Sequence, residues 1–440
     1  MKRERSAALE LIAFSLPLIL SGILQQLYNW ADAFIVGHYE GELQLAAVGA
    51  TTSISYFLIN TILGFTLGLS ILAAQHFGRK DQATVRRIHS GFLPLLGGIY
   101  ALLSALAFLF ASPILRLMGT PEDIFAFSLS YLKIIFIGVP FLACYNLYAA
   151  MLRAVGNTRA AFYAVLLSSV MNVVLDVLLV AIFHFGVAGA AAATVLSQIV
   201  MTIYIALYTR CKYPWLMRQR GEKRLDRTLL VQSLRFSVPP TLQNSITSLG
   251  NLVLQNFMNS FGSVTVLAIT TAYRVDSMML LPIFNLGAAI SSMAARAKGA
   301  DNRRQLRSCF SSGLMIMLVV CVVLSVIMFL WGAWFVSIFG VTGEALLIGT
   351  QFFRDLSIFY TLFGVGIVVR SVLEGVGDMA WSSAIGIGML AARIGLSYLL
   401  HPFLQQRTIA IAEGIAWILM LAVLVWRTGY LHRKTQAKAV

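Results

Sequence analysis

The chain has 440 residues, of which 59% are hydrophobic and only 12% are charged, and its mean hydropathy is +0.81. Water-soluble domains carry about a quarter of charged residues, so this composition excludes a soluble globular protein. The formal net charge of +15 would suit a nucleic-acid binder only if a structured soluble surface carried it.

Apolar runs of about 20 residues, long enough to cross the hydrocarbon core of a bilayer, recur along the whole chain. The first run is too long for a cleaved signal peptide, and no small-residue cleavage site follows it. The runs therefore predict an all-α integral membrane protein embedded in the lipid bilayer. Its twelve transmembrane helices are expected at 11–36, 47–73, 92–112, 129–152, 160–182, 187–208, 236–258, 266–292, 310–331, 350–370, 382–402 and 408–427.

The same pattern occurs twice in the chain. The segment Ala154-Val155-Gly156-Asn157 reappears in the second half as Gly375-Val376-Gly377-Asp378. Leu16-Pro17 returns as Val238-Pro239, at an interval that differs from the first by a single position. Six helices in each half bring both halves into the membrane from the same side. We therefore expect two parallel six-helix lobes related by a pseudo-two-fold axis.

The expected domains are an N-lobe at 1–208, a linker at 209–233, and a C-lobe with its tail at 234–440. Of the 33 Lys and Arg residues, 26 lie on one side, in the tails, in the connections and at the end of the tenth span (Arg370), whereas the opposite loops hold only Arg116 and Arg407. This distribution places the linker and both termini in the cytoplasm of a protein of the plasma (inner) membrane. The positive charge therefore sets the topology and does not indicate a nucleic-acid partner.

Duplicated membrane halves are typical of secondary transporters, and ionisable groups inside their spans are functional candidates because they are costly to bury. In the fifth span, Asn172 and Asp176 are four residues apart and share one helix face. The first span has a polar face at helical spacing, formed by Ser21, Gln25, Tyr28, Asn29 and Asp32.

The depth of these side chains follows from the rise of a helix, about 1.5 Å per residue. Asp32 lies about 6 Å inside the outer end of its span, Asp176 about 9 Å and Asn172 about 15 Å. Thr194, on the returning sixth span, lies about 10 Å below its start. All four fall in the outer half of the membrane, where their oxygens would suit a proton or Na⁺. The alternative for Asp32 is a carboxylate that is merely hydrated at the interface.

The second half keeps a polar stripe but loses the acids. Leu254 stands where Asp32 would be, and Arg393 occupies the position that matches Asn172. Arg274 and Asp276 lie mid-span in the eighth span, at a depth similar to that of Arg393. A buried arginine needs a counter-charge, and Asp276 is the nearest candidate by depth, which predicts either a structural ion pair or a direct role in substrate binding or coupling. Glu413 is expected at the interface. The residues expected to line a substrate cavity are Gln25, Tyr28, Asn29, Asn244, Ser248, Asn251, Gln255, Arg274, Asp276 and Arg393.

These features resemble the multidrug and toxic compound extrusion (MATE) family across essentially the whole chain. The resemblance implies a monomeric transporter that exports organic, often cationic, small molecules against H⁺ or Na⁺, with no other cofactor and no enzymatic activity. Besides the duplicated halves, it rests on 16–32 in the first span, Gln75-His76-Phe77-Gly78, Arg153-Ala154-Val155-Gly156-Asn157-Thr158, and Tyr273-Arg274-Val275-Asp276-Ser277.

In the prokaryotic branch of that family, which this chain most resembles, the cation site is in the N-lobe. The matching positions here are Asp32, Asn172, Asp176 and Thr194, and the family's bend in helix 1 corresponds to Pro17. Other branches use acids in helices 7 and 10. Helix 7 has no acid here and Asp355 lies at the edge of helix 10, so the resemblance does not imply coupling in the C-lobe.

Three other functions fit parts of the sequence. A flippase for lipids or lipid-linked saccharides would use Arg274 and Arg393 to hold phosphates. An intramembrane aspartyl protease is suggested by Gly375-Val376-Gly377-Asp378, but the repeat mate of Asp378 is Asn157, which cannot act as an acid or base. A channel is the third alternative, although paired ionisable residues in duplicated lobes favour alternating access.

Overall fold

A computed structural model describes residues 2–217 and 225–437 of the chain. Within these ranges the elements are helices joined by short connections, and no strand occurs. The helices are α1 (Lys2–Glu40), α2 (Glu42–Gly78), α3 (Gln82–Leu109), α4 (Ala111–Leu117), α5 (Glu122–Ala154), α6 (Arg159–Asp176), α7 (Gly186–Lys212), α8 (Arg227–Asn259), α9 (Ser263–Met279), α10 (Leu281–Gly299), α11 (Arg303–Ser337), α12 (Gly343–Ser357), α13 (Tyr360–Val376), α14 (Met379–Leu404) and α15 (Thr408–Ala437). A π-helix, Val177–Ile182, continues α6.

The predicted all-α, multi-pass membrane fold is confirmed. Nine stretches of the described chain are long and apolar enough to cross a membrane, and a bent pair makes a tenth. One of the nine, Met379–Leu431, contains two helices, α14 and α15, separated by a short turn at Gln405–Arg407. α8 has 33 residues but is not among them, because its polar stripe interrupts the apolar sequence. When α15 and α8 are counted as spans of their own, the described chain has the twelve predicted spans in two lobes.

Two of the predicted spans contain a break in the helix. The span at 266–292 consists of α9 and α10, and Pro282 lies in the first turn of α10, where its missing N–H costs nothing. The span at 350–370 consists of α12 and α13, which are bent by 51° at the break between them. Both breaks occur in the second half of the chain.

The sequence repeat is also a repeat of backbone conformation. A positive φ angle is uncommon outside glycine, because the β-carbon then crowds the backbone. Five positions with positive φ in the first half have a counterpart with positive φ in the second half, at the interval that separates Ala154 from Gly375. In two of these five pairs neither residue is glycine. The pairs are Gly41 and Gly262, Lys80 and Asp301, Gly119 and Gly340, Gly156 and Gly377, and His184 and Gln405.

The chain divides into two compact units. The N-terminal unit is Leu16–Thr241, and the C-terminal unit joins the residues before Leu16 to those after Thr241. The boundaries therefore fall inside α1 and α8, beside Pro17 and Pro240, and not within the predicted linker. That linker is shorter than expected, because α7 extends to Lys212, and its residues 218–224 lie outside the described residues.

Close helix packing explains these boundaries. Gly68 of α2 faces the first half of α8 so closely that a β-carbon would lie 2.3 Å from the carbonyl oxygen of Phe236. Gly64, one turn earlier, meets Pro240 in the same way, at 2.7 Å. Glycines four residues apart allow two helix backbones to touch. In the C-terminal unit, Phe14 of α1 packs under the guanidinium group of Arg296, 5.0 Å from the ring centre.

Gly68→Ala should separate α2 from α8 and lower the stability of the folded protein by about 1–3 kcal/mol, as overpacked cores do. The matched control is Gly98→Ala in α3, where a β-carbon meets nothing within 4 Å. The control should leave the stability unchanged or raise it by up to about 1 kcal/mol, because alanine favours helix. Thermal unfolding of both variants in detergent tests this, and equal midpoints would contradict it.

Candidate functional site

Four polar residues of the N-terminal unit form what we call the N-terminal cluster: Asp32, Asn172, Asp176 and Thr194. α1 carries Asp32, α6 carries Asn172 and Asp176, and α7 carries Thr194. Asn172 donates from Nδ2 to the Thr194 hydroxyl at 3.5 Å, and the Asp32 and Asp176 carboxyls interact electrostatically. The structure thus places all four residues in one unit, with contacts that link Asn172 to Thr194 and Asp32 to Asp176.

The two carboxyl groups and the Asn172 amide of the cluster are buried, and several of their oxygens lack partners. Asp176 is 0% exposed, Asn172 is 1% and Asp32 is 9%. Within the described part of the chain, one Asp32 oxygen, the Asn172 carbonyl oxygen and both Asp176 oxygens have no hydrogen-bond partner. A buried polar group without a partner costs about 1–3 kcal/mol, and more if it is charged. A proton or a small cation bound among these oxygens would remove that cost.

The backbone changes its geometry directly after Asp176. α6 ends at this residue and the π-helix Val177–Ile182 begins, so the N–H of Phe183 bonds the carbonyl of Leu178, five residues back, at 2.9 Å. π-Helical turns are rare and often occur at functional sites. The continuous apolar run at 177–182 gave no sign of it, because this local sequence is equally compatible with α-helix.

Apolar side chains from four elements close the space next to the cluster. Ile35 and Val36 follow Asp32 by one turn on α1, and they pack with Val180 of the π-helix and Val187 of α7. Tyr131 of α5 belongs to the same group and interacts electrostatically with both carboxyls. Sequence reasoning missed Tyr131, because a single tyrosine in an apolar helix looks like any core residue.

The remaining residues of the α1 polar face have a different environment. α1 continues as a helix through Pro17, whose carbonyl accepts a hydrogen bond from the Ser21 hydroxyl at 2.7 Å. Gln25 and Asn29 are exposed, and Tyr28 is half-buried. The polar face therefore changes from exposed amides to the buried carboxyl of Asp32 within two turns.

The expected cavity residues on α8 remain a stripe along that helix. Ser248 donates to the carbonyl of Asn244 at 3.0 Å, and Gln255 donates to Asn259 at 3.1 Å. Asn251 is exposed. Arg274 on α9 is exposed as well, so it is not part of a buried ion pair with Asp276.

Arg393 of the C-terminal unit is half-buried, and its partner differs from the predicted one. Arg393 lies 3.0 Å from Glu413, and Tyr273 bridges the two: it accepts from Arg393 at 2.6 Å and donates to Glu413 at 3.1 Å. Asp276, the expected counter-charge, accepts a hydrogen bond from Tyr360 instead. Glu413 is only 7% exposed, so its carboxyl group faces the protein interior.

Known proteins match this chain over most of its length. The probable multidrug resistance protein YoeA of Bacillus subtilis is 28% identical over 409 residues, which cover 91% of this chain and 88% of that protein. The crystal structure of MATE in the bent conformation matches with a TM-score of 0.91 at 22% identity, over 98% of this chain and 97% of that one. A MOP superfamily transporter from Pyrococcus furiosus, described as having a binding pocket of reverse polarity, matches with a TM-score of 0.90 at 23% identity, over 97% of each chain.

At these identities the two structures show a shared fold. The family model described as MatE matches residues 17–178 and, a second time, residues 239–399. The two matches begin at the repeated prolines, Pro17 and Pro239, as the internal repeat requires, and together they span more than half of the chain. This protein is therefore a member of the MatE family.

Proposed function

We propose that this protein is a secondary active efflux transporter that antiports amphipathic organic compounds, mostly cationic, against H⁺ or Na⁺. Membership of the MatE family and the names of relatives such as YoeA, a probable multidrug resistance protein, support export of small organic molecules. The observation that carries the proposal is the N-terminal cluster, in which two carboxyl groups are buried together without a basic partner.

The driving ion binds at the N-terminal cluster. Two neighbouring carboxylates cannot both keep their charge in a medium of low dielectric, so the cluster must take up a proton or a cation. Asp32 and Asp176 hold the charge of the ion, and Asn172 and Thr194 supply neutral oxygens or hydrogen bonds to them. Hard oxygen ligands of this kind suit Na⁺ as well as H⁺.

α1 links the cluster to the boundary between the compact units. Asp32 and Pro17 are separated by about 22 Å along the axis of this helix. Pro17 lies two residues after Ser15, the last residue of α1 that belongs to the C-terminal unit. Proline removes one helical hydrogen bond and permits a kink, so bending at Pro17 would report the occupancy of the cluster to the substrate site.

Charge decides the substrate class. The N-terminal cluster offers carboxyl groups, while Asn244, Ser248 and Asn251 of α8 offer only neutral groups. A cationic substrate and the driving ion would therefore compete for the same negative charge, which couples their fluxes. A flippase that holds phosphates is less well supported, because Glu413 neutralises Arg393. A protease is not supported either, because Arg427 pairs with Asp378 at 2.9 Å.

Asp32→Asn and Asp176→Asn should each reduce gradient-driven efflux to the level of protein-free vesicles. Each change removes a carboxyl group that takes up the driving ion, while the shape of the side chain is nearly kept. The matched control is Asp123→Asn, an exposed carboxylate at the start of α5 in the same unit. Efflux of a fluorescent cation from proteoliposomes measures the effect. Full transport by either cluster variant would refute the assignment, provided that gel filtration shows a folded protein.

The identity of the driving ion is tested by imposing a pH gradient and a Na⁺ gradient separately. Thr194→Val keeps the side-chain volume but removes the hydroxyl oxygen. A bound Na⁺ would lose a ligand, and Na⁺-driven efflux should then fall about tenfold or more, as an affinity loss of about 1.4 kcal/mol requires. Proton-driven efflux needs only the carboxyl groups and should persist.

Cationic amphipathic dyes should leave the vesicles, and anionic dyes of the same size should not. The reason is that an anion cannot replace the driving cation at carboxyl groups. The same dye scaffold carrying either an ammonium or a sulfonate group gives a matched pair for transport assays. Faster transport of the sulfonate than of the ammonium form would favour the flippase interpretation.

The α7–α8 connection should face the cytoplasm, where the excess of basic residues places it. Cys211, near the end of α7, is a free and exposed thiol. A membrane-impermeant maleimide should label it in inside-out vesicles but not in intact cells. Cys211→Ser controls for labelling of other thiols, and Thr342→Cys, on the opposite side of the predicted topology, should show the reverse pattern. Labelling of Cys211 from outside intact cells would overturn the topology.

A further inference from the structure

A second group of buried and half-buried ionisable residues lies in the C-terminal unit, and the proposed function does not use it. We call it the C-terminal cluster: Tyr273 and Asp276 of α9, Tyr360 of α13, Arg393 of α14 and Glu413 of α15. Asp276 is 3% exposed and Glu413 is 7% exposed. Four helices thus bring two carboxyl groups and one guanidinium group together.

The charges of this cluster do not balance. Arg393 pairs with Glu413 at 3.0 Å and also lies over the ring of Tyr273, 5.6 Å from its centre. Arg393 also interacts electrostatically with Asp276, so the only guanidinium group of the cluster is shared between two carboxyl groups and forms its ion pair with Glu413. Asp276 has the Tyr360 hydroxyl as its hydrogen-bond donor. A structural ion pair contains as many bases as acids, whereas this cluster has one carboxyl group in excess.

The helices packed against α9 supply no further positive charge to Asp276 among the described residues. α12 contributes Phe352, whose ring contacts Tyr273, and its Asp355 is held by Arg407 through two hydrogen bonds of 2.7 and 2.8 Å. Arg354 of α12 and Arg274 of α9 are exposed. The basic residues of α10 lie in its last turn, at Arg296 and Lys298, and those of α11 lie at its start, at Arg303, Arg304 and Arg307.

The internal repeat relates residues in and beside this cluster to residues in and beside the N-terminal cluster. Arg393 follows Asn172 at the interval of the repeated turns, and Phe352 follows Tyr131 at the same interval. Tyr131 interacts with the carboxyls of the N-terminal cluster, and Phe352 contacts Tyr273 of the C-terminal cluster. Both halves therefore bury carboxyl groups close to equivalent positions, although the acids themselves are not equivalent in the repeat, where Asp276 corresponds to Ser55 and Glu413 to Ala192.

We propose that Asp276 is a second proton-binding site, in which its carboxylate takes up one proton to form a carboxylic acid. The reaction is a simple protonation: the Asp276 carboxylate and one proton give the neutral acid, and no other bond changes. The cluster then carries Glu413 against Arg393 and has no net charge, which removes the cost of an unpaired buried carboxylate. This inference does not depend on the proposed function of the N-terminal cluster.

Infrared spectroscopy of the full-length protein in liposomes tests the proposal, because the carbonyl band of a protonated carboxyl group is separate from that of a carboxylate. The background is the double variant Asp32→Asn/Asp176→Asn, in which the N-terminal cluster holds no acid. Exposed carboxyl groups are ionised at neutral pH and do not contribute. The double variant should keep a band equivalent to one protonated carboxyl group at neutral pH.

Adding Asp276→Asn should abolish this band, while adding Asp355→Asn, a buried acid with its own arginine, should leave it unchanged. Glu413→Gln provides a second variant: it frees Arg393 to neutralise Asp276, so the band should disappear although Asp276 is still present. Persistence of the band in the Asp276→Asn protein would overturn the proposal, and so would persistence in the Glu413→Gln protein. Transport by Asp32→Asn or Asp176→Asn variants would refute the N-terminal coupling site without affecting this result.

Discussion

The burial of carboxyl groups without basic partners is the constraint on which the arrangement of the N-terminal unit depends. Asp32 and Asp176 come from different helices, and their interaction exists only where α1 and α6 bring them together. Taking an unpaired charge out of water costs several kcal/mol, and nothing in the local sequence repays this. Binding of a proton or a cation would offset this cost. The buried carboxyl groups are therefore costly for stability when no ion is bound, which supports the coupling role proposed for them. The π-helix after Asp176 and the apolar group around Ile35 then position and enclose them.

The two halves share the same backbone turns but differ in the side chains that surround their buried carboxyl groups. The turns recur at the interval of the sequence repeat, and the caps of α3 and α11 recur with them: Asp81 accepts the N–H of Thr84 at 3.0 Å, and Asn302 accepts that of Gln305 at 2.9 Å. The buried side chains diverge, because they are not needed to form the turns. Asn172 in one half is a neutral amide, while Arg393 in the other brings a charge that Glu413 must balance.

Two helices, α1 and α8, each have residues in both compact units, so the chain passes between the units within a continuous helix. α1 has its first residues in the C-terminal unit, where Leu11 is fully buried, and carries Asp32 in the N-terminal unit. α8 has the reverse arrangement: its first half contacts Gly68 in the N-terminal unit, and its residues after Thr241 belong to the C-terminal unit. The unit boundary lies beside a proline in each helix, where the hydrogen-bond ladder is already interrupted. A rigid helix held at both ends can change its course most easily at such a point.

Length, hydropathy and the repeat were sufficient to predict the number of spans and the two halves, because helix rise and bilayer thickness are fixed distances. The same distances predict a similar depth in the membrane for Asp32, Asn172, Asp176 and Thr194. The partner of Arg393 could not be predicted, since a depth along one helix does not say which other helix lies beside it. Asp276 was closer in depth, but the packing of α14 against α15 brought Glu413 to the guanidinium group instead. The break between α12 and α13 and the membership of α1 and α8 in both units were not predicted from the sequence either. The sequence by itself determined where along each helix the polar groups stand, and only the tertiary structure decided which of them meet, because helix geometry is local whereas the choice of neighbours is made by the whole packed chain.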